Sequence, residues 1–133
     1  RLVREGKALR AVPAEKSGLD YVGVVHGVAI TFDCKETAGA SLPLANLHQH
    51  QIDEATEWER HGGVAFWLVD YSRGVGHIYR VPHTFVADRW QQAQAGGRKS
   101  VPQTDMVPEW EVCSRNGLVL DYLAGLYGEE GVA

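Results

Sequence analysis

Two aspartates and a lysine stand at the polar ends of two otherwise apolar segments. The stretch reads DYVGVVHGVAITFDCK, with Asp20 at its start and Asp33 and Lys35 at its end. Burying a charge is costly unless the charge is paired or bound to a metal. If these side chains come together, they could bind a divalent cation and assist the hydrolysis of a phosphodiester.

A tight hairpin would bring the three side chains to one place. The dipeptide His26-Gly27 joins two runs rich in β-branched residues, which is typical of a two-residue hairpin turn. These runs are Tyr21–Val25 and Val28–Cys34. Counting outward from the turn places Asp20 opposite Asp33, with Cβ atoms about 4.5–5.5 Å apart. Lys35 shares that face, because side chains alternate along a strand.

The facing carboxylates allow two interpretations. Like charges directly opposite each other destabilise a strand pair, and Mg²⁺ would relieve the repulsion while keeping positions open for water and a phosphate. Lys35 could then orient the attacking water or stabilise negative charge on the phosphate. The alternative is a salt-bridged strand end, in which Lys35 neutralises one of the acids and no reaction takes place.

The rest of the chain predicts a single α/β domain in which a mixed sheet is flanked by helices. Residues 48–63 and 83–97 are predicted helices, each ending at glycine, and VAFWLVDY is a strand buried on both faces. Strands are also expected in ALRAV, HIYRV and EWEVC, and helices in LVLDYLAGLYG and in RLVREG, where the last turns would continue from before Arg1. KETAGASLPLAN and GRKSVPQTDMVP are predicted loops.

Composition narrows the class of protein. The 133 residues are 44% hydrophobic and 23% charged, which is usual for one globular domain. No apolar run approaches the roughly 20 residues that span a bilayer, so no membrane association is expected. Two cysteines make no disulfide framework, which favours a reducing compartment. The net charge is −4, yet residues 1–16 hold five basic residues and two acids, so the acidic total does not exclude a local basic patch that binds phosphates.

The order of several motifs resembles one nuclease family. The arrangement Asp20…Asp33-Cys34-Lys35 is similar to the PD-(D/E)xK motif of restriction-endonuclease-like nucleases. The segments DCKET, SLPLANLHQHQI, HGGVAFWLV, GGRKS and LDYLAGLY, within residues 18–127, resemble in order the RecU family of Holliday junction resolvases. The resemblance implies a three-layer restriction-endonuclease-like fold and a homodimer that cuts two strands of a four-way DNA junction.

The resemblance also assigns roles to residues. Asp20, Asp33 and the backbone carbonyl of Cys34 would hold Mg²⁺, for which Mn²⁺ can substitute. Lys35 would be the catalytic lysine, and Gln51 would complete the site from the first turn of a helix. The Cys34 side chain, on the opposite face from Asp33, is interpreted as a small core residue. Residues expected to contact DNA are Arg98, Lys99, Arg10, Lys16 and His48.

Three features depart from the family pattern. The second acid is Asp33, where the family usually has glutamate, and the tripeptide before Asp20 is SGL, where the family tends to have threonine. The family carries a long protruding excursion between its first two strands, whereas only Pro13–Leu19 is available here. His48 and His50, two residues apart on the predicted helix, are expected to point to different faces, so a zinc pair is not expected. They are expected to cap the start of the helix, or one of them to contact DNA.

These observations predict a metal-dependent, structure-selective DNA endonuclease in the cytoplasm of a bacterium or a phage-infected cell. One alternative is a nuclease of the same fold that acts on duplex or flap DNA, such as a phage or restriction-like enzyme. The other is a non-catalytic DNA-binding scaffold for recombination. The intact set of two acids and a lysine argues against a scaffold, which has no reason to keep a repulsive pair.

Overall fold

The structure is a computed structural model that describes residues 2–5, 8–13, 19–72 and 77–112. Eight strands are described: β1 Leu2–Glu5, β2 Ala8–Pro13, β3 Tyr21–Val25, β4 Val28–Thr37, β5 Ser41–Pro43, β6 Val64–Tyr71, β7 His77–Pro82 and β8 Ser100–Pro102. The helices are α1 Gln49–Arg60 and α2 His83–Gln94, and short 3-10 turns cover Leu44–Asn46, Gln103–Asp105 and Pro108–Trp110. No helix in these ranges is long and apolar enough to cross a bilayer.

A six-stranded mixed sheet organises the described residues. Its strand order is β1-β2-β3-β4-β6-β7, in which β4 and β6 are parallel and the other neighbours are antiparallel. Helix α1 is the crossover that the parallel pair requires. The predicted α/β fold with a mixed central sheet is therefore confirmed. Strands β5 and β8 form a separate two-stranded sheet.

The β3–β4 hairpin has the register predicted from its turn. Val25 pairs with Val28 next to the turn, and Tyr21 pairs with Phe32 at the far end. His26 and Gly27 have φ values of 48° and 82°, the left-handed region that a type I′ turn needs at both central positions. Because this turn twists in the same sense as the strands, it fixes the register and places Asp20 beside Asp33.

The larger core lies between one face of the sheet and both described helices. The alternate residues Ala65, Trp67 and Val69 of β6 are buried there against Ile52 and Ala55 of α1 and against Val86 of α2. The other face carries Ile30, Phe32, Phe66 and Leu68, and the rings of Tyr21, Phe32 and Phe66 stack with centroids 4.9 Å apart. Strand β6 is thus buried on both faces, as its continuous apolar sequence predicts. The second helical layer of the predicted three-layer fold is a prediction that falls outside the described residues.

Several local predictions are wrong. The RLVREG segment contains strand β1 rather than the end of a helix, because it pairs with β2 from Leu2↔Ala11 to Glu5↔Ala8. The two predicted loops contribute β5 and β8, which pair with each other across the domain. EWEVC holds a 3-10 turn and a single bridge between Glu111 and Tyr79 instead of a regular strand.

The predicted helix LVLDYLAGLYG lies outside the described residues, as does the segment 14–18 between β2 and β3.

A buried hydrogen-bond chain fastens the two helices to the sheet. Trp67 Nε1 donates to His83 Nδ1 at 3.2 Å, so the proton of the neutral imidazole is on Nε2, 2.9 Å from Thr56 Oγ1. The Thr56 hydroxyl in turn donates to the Ile52 carbonyl at 2.9 Å. Every polar side-chain atom of Trp67, His83 and Thr56 thus has a hydrogen-bond partner. Burial lowers the pKa of His83, which is 2% exposed, to about 4.

We expect His83 to make the protein sensitive to mild acid. As pH falls from 6.5 to 4, the unfolded chain binds a proton at His83 whereas the folded protein keeps the imidazole neutral. The free energy of unfolding therefore falls by up to about 3 kcal/mol. His83→Gln removes this titration, and its unfolding free energy should fall less over the same range in urea titrations. His61→Gln, at an exposed position, is the control. Equal pH slopes in His83→Gln and the unmodified protein would refute the assignment.

Candidate active site

Asp33 lies in the middle of β4 and its carboxylate is almost completely buried. The side chain is 1% exposed and points to the face covered by α1, next to Trp67 in the parallel register. Its Oδ2 accepts a hydrogen bond from Gln51 Nε2 at 2.9 Å and lies 3.1 Å from Lys35 Nζ. Its Oδ1 is buried and has no hydrogen-bond partner. Oδ2 of the carboxylate therefore has two polar partners, and Oδ1 has no hydrogen-bond partner.

Asp20 stands immediately before β3, one position beyond the Tyr21↔Phe32 pair, and faces Asp33 as predicted. Its side chain is exposed. The pKa of Asp20 is raised, first by a hydrogen bond that its carboxyl makes with Asp33 when protonated, then by partial burial and by repulsion from the Asp33 charge. The Lys35 ammonium acts in the opposite direction. The two acids are close enough to compete for a proton, so they are also close enough to share a cation.

Lys35 and Gln51 reach Asp33 from different elements. Lys35 is two residues further along β4, where alternation puts it on the same face, and its side chain is 16% exposed. Gln51 is the third residue of α1 and is 6% exposed. The predicted group of Asp20, Asp33, Lys35 and Gln51 is therefore brought together by β3, β4 and the first turn of one helix.

The oxygen set fits a hard divalent cation. Asp33 Oδ1 is a buried, negatively charged acceptor without a donor, which costs free energy unless a cation or a proton meets it. The Asp20 carboxylate beside it is a second ligand of the kind Mg²⁺ prefers, and Mg²⁺ usually keeps several waters. Within the described ranges, no group of three or more His, Cys, Asp and Glu side chains could hold a metal. A cation here would thus depend on two carboxylates, with a backbone carbonyl and water completing its shell.

The structure corrects the interpretation of Cys34. Its side chain is exposed on the opposite face of the sheet and is not a core residue. Partial burial of the sulfur, followed by the charges of Asp33 and Asp20, raises the pKa of the thiol. A raised pKa disfavours the thiolate, so Cys34 is not an activated nucleophile.

Of the two predictions for the histidines beside the site, the helix cap is right and the different faces are wrong. His48 is the N-cap residue of α1, with extended backbone at φ −121° and ψ 147°. Because of this backbone, its ring does not point away from His50: the two rings stack with centroids 5.7 Å apart and planes 7° from parallel. Both residues are exposed next to Gln51.

The remaining predicted DNA contacts are separated from the acid pair along the chain. Arg98 is exposed between α2 and β8, and Lys99 Nζ donates to the Ala93 carbonyl near the end of α2. Arg10 lies on β2, where its backbone pairs with Val3, and its side chain is outside the described atoms. Lys16 falls in the segment that is not described. Their contact with DNA stays a prediction.

The sequence predicted a helix cap at the histidines but not the part that Gln51 takes in it. The Gln51 side chain accepts the backbone N–H of His48 through Oε1 at 3.3 Å, which is one half of a helix capping box. The available signal was the spacing of His48 and Gln51. It did not stand out, because capping boxes usually begin with serine or threonine.

Sequence comparison relates the chain to a family of known proteins. The family sequence model described as "Recombination protein U", RecU, matches residues 3–127. The chain belongs to the RecU family. A relative named Holliday junction resolvase RecU from Limosilactobacillus fermentum is 40% identical over 113 residues, which is 83% of this chain and 53% of the relative. One of the same name from Oenococcus oeni is 33% identical over 129 residues, 90% of this chain and 61% of the relative.

The chain spans about half the length of the curated relatives that it matches. A solved structure of Archaeoglobus fulgidus Hjc, described as a Holliday junction resolvase, aligns with a TM-score of 0.44 and 14% identity over 56% of this chain and 58% of that one. Membership of the RecU family therefore rests on the sequence matches.

We expect Asp20→Asn to stabilise the metal-free protein at neutral pH. The substitution removes the repulsion from Asp33 while keeping the shape of the side chain, so the melting temperature in chelator should rise by roughly 1–3 °C, a gain limited by solvent screening. Because a raised pKa means that ionisation costs the folded state free energy, the gain should grow as pH rises through that pKa and vanish in acid.

Glu54→Gln, an equal charge change at an exposed position of α1, is the control for this melting experiment. A lower melting temperature for Asp20→Asn than for the unmodified protein in chelator at neutral pH would show that the two carboxyl groups do not repel each other.

Proposed function

We propose that this chain carries the catalytic site of a metal-dependent DNA endonuclease that cuts four-way junctions. The observation that carries the proposal is the Asp33 carboxylate, whose Oδ2 is held by Lys35 and Gln51 while Oδ1 is buried and open beside Asp20. A salt-bridged strand end would need Asp33 and Lys35 alone. It would not explain a second acid with a raised pKa at the same point. The junction as substrate is taken from the names of the RecU relatives.

The chain's own residues divide the work of hydrolysis. Asp20, Asp33 and the backbone carbonyl of Cys34 would hold Mg²⁺, or Mn²⁺ in its place. When bound, such an ion polarises the phosphate and lowers the pKa of a coordinated water. Lys35, fixed by its ion pair with Asp33, has its ammonium group at the site, where it can orient the water or offset negative charge that develops on the phosphate. Gln51 keeps the Asp33 carboxylate in one orientation.

The proposed partners follow from the substrate. A four-way junction has two equivalent strands to cut, so a homodimer with one site per chain would place two cuts symmetrically. Arg98, Lys99, Arg10, Lys16 and His48 are the proposed contacts to the DNA backbone, for which cationic and hydrogen-bonding side chains are suited. Such an enzyme would work where chromosomal DNA recombines, in the cytoplasm of a bacterium or a phage-infected cell.

Cleavage assays on three DNA substrates test this function. A four-way junction, a flap and a linear duplex are incubated with the protein in Mg²⁺, in Mn²⁺ and in chelator. We expect paired, symmetric nicks on the junction only, and only with metal. Lys35→Met and Asp33→Asn should each lower the cleavage rate by at least about 100-fold. The first removes the cation that offsets charge on the phosphate, and the second removes a carboxylate ligand of the metal. Glu54→Gln should cleave at the rate of the unmodified protein.

The other outcomes separate the remaining possibilities. Equal cutting of duplex and junction would mean a nuclease of the same fold without junction selectivity. Junction binding without cutting in any metal, unchanged by Asp33→Asn, would mean a DNA-binding scaffold and would end the nuclease proposal. Cutting that persists in chelator would rule out the metal.

A further inference from the structure

Two histidine rings form an exposed stack where α1 begins. The rings of His48 and His50 have centroids 5.7 Å apart and planes 7° from parallel, and both residues are exposed. This separation is usual for aromatic rings that stack with an offset. Within the described ranges, the His50 side chain makes no hydrogen bond or ion pair. The stack therefore presents aromatic faces to solvent and takes no part in the core.

The backbone brings the two rings together on the solvent side. His48 precedes the helix with extended backbone, whereas His50 is the second residue inside it. Between them, Gln49 turns toward α2, where its Oε1 accepts a hydrogen bond from Trp90 Nε1 at 3.1 Å. Gln49 thus occupies the side of the turn that faces α2, and the two rings lie against each other in solvent.

The stack stands at the rim of the candidate site. The His48 N–H donates to Gln51 Oε1 at 3.3 Å, and the other end of the same amide binds Asp33 Oδ2 at 2.9 Å. A single side chain therefore separates the backbone of His48 from the buried carboxylate. A DNA strand with a phosphate at the acid pair runs close to the two rings.

The charge of α1 favours a base over a phosphate at the stack. Residues 48–51 are His-Gln-His-Gln, and the exposed acids Asp53, Glu54 and Glu57 follow within two turns. These carboxylates repel phosphates, which weakens any ionic contact between His50 and the DNA backbone. Stacking uses the face of a ring, and every nucleobase has such a face.

A branched DNA offers base faces that a linear duplex does not. In the interior of a duplex each base is stacked on both sides, and a protein side chain reaches it only after unstacking. Where the four arms of a junction meet, the last base pair of an arm has one face uncovered when the arms separate. Aromatic rings beside the point of cutting are placed to cover such a face.

We propose that the stacked rings of His48 and His50 form a platform for an uncovered DNA base at the branch point. The inference rests on the proposed junction-cutting function. It goes beyond the backbone contact proposed for His48, because it assigns both rings to the preference for branched over linear DNA. Since stacking tolerates any base, the platform recognises the branch and not a base sequence.

Two substitutions at His50 separate stacking from polar contact. His50→Phe keeps an aromatic face and loses both ring nitrogens, whereas His50→Gln keeps a hydrogen-bonding group and loses the ring. Affinities for a four-way junction and for a linear duplex are measured by fluorescence anisotropy in chelator, where no cutting is expected. Because His50 is exposed, both variants should fold normally, which melting curves in chelator check.

The measured quantity is the ratio of junction affinity to duplex affinity. We expect this ratio to fall by about 5- to 10-fold in His50→Gln, at the lower end of the range for one base stacked on an aromatic side chain. In His50→Phe it should stay close to that of the unmodified protein. His61→Gln, which replaces an exposed histidine at the other end of α1, is the control and should also keep the ratio.

A matched change in the DNA tests the contact directly. An abasic residue is placed at each branch position in turn, and the affinity of each junction is measured with the unmodified protein and with His50→Gln. If ring and base stack on each other, removing both costs little more than removing one, so the two losses are not additive. We expect non-additivity at a branch position and additivity in the middle of an arm. Additive losses at every branch position would overturn the platform.

The remaining outcomes distinguish this inference from the function on which it rests. A ratio that falls as far in His50→Phe as in His50→Gln would replace stacking by a polar contact. An unchanged ratio in His50→Gln, with a junction-selective unmodified protein, would remove the platform and leave the nuclease intact. Equal binding and equal cutting of junction and duplex by the unmodified protein would overturn both.

Discussion

The rest of the site depends on the burial of one carboxylate. Asp33 is 1% exposed in the middle of a strand, and an ionised group in such a position is costly unless donors and opposite charge surround it. Lys35 comes from the same strand and Gln51 from the helix that crosses to the next one. Both meet the same oxygen. The fold thus stabilises the charge at Oδ2 and leaves Oδ1 buried without a hydrogen-bond partner.

The two acids differ in environment, and this difference suits a metal site. Asp33 is buried and fixed, whereas Asp20 is exposed and has a raised pKa because Asp33 lies beside it. Two buried carboxylates would cost the fold more stability, and two exposed ones would have no fixed geometry. With one buried and one exposed carboxylate, the repulsion appears as the raised pKa of Asp20, the exposed residue. Proteins keep such unfavourable pairs at functional sites, where stability is exchanged for binding.

Local sequence was sufficient for the features that local chemistry controls. His26-Gly27 determines a turn type, the turn determines the register, and the register places Asp20 at Asp33. The predictions that were wrong concern elements defined by pairing between separate parts of the chain. Strand β1 is recognisable only through its pairing with β2, and the three-residue strands β5 and β8 exist only through each other. The hydrogen bond from Gln51 to Asp33, 18 residues away, is likewise non-local, although the bond from the His48 N–H to the other end of the same amide is local.

The hydrogen bonds of the core and the geometry of the site share one helix. Helix α1 is tied at its first turn by Gln51 to Asp33 and at its second by Thr56 to His83. His83 in turn accepts from Trp67, the residue beside Asp33 on the parallel strand. Side-chain hydrogen bonds thus join β4 to α1, α1 to α2 and α2 to β6, and β6 pairs with β4 in the sheet. A shift of α1 along the sheet would have to lengthen bonds of 2.9 Å at both turns, and each weakens steeply with distortion. The position of the amide that holds Asp33 is therefore determined by the packing of the core as well as by the site itself.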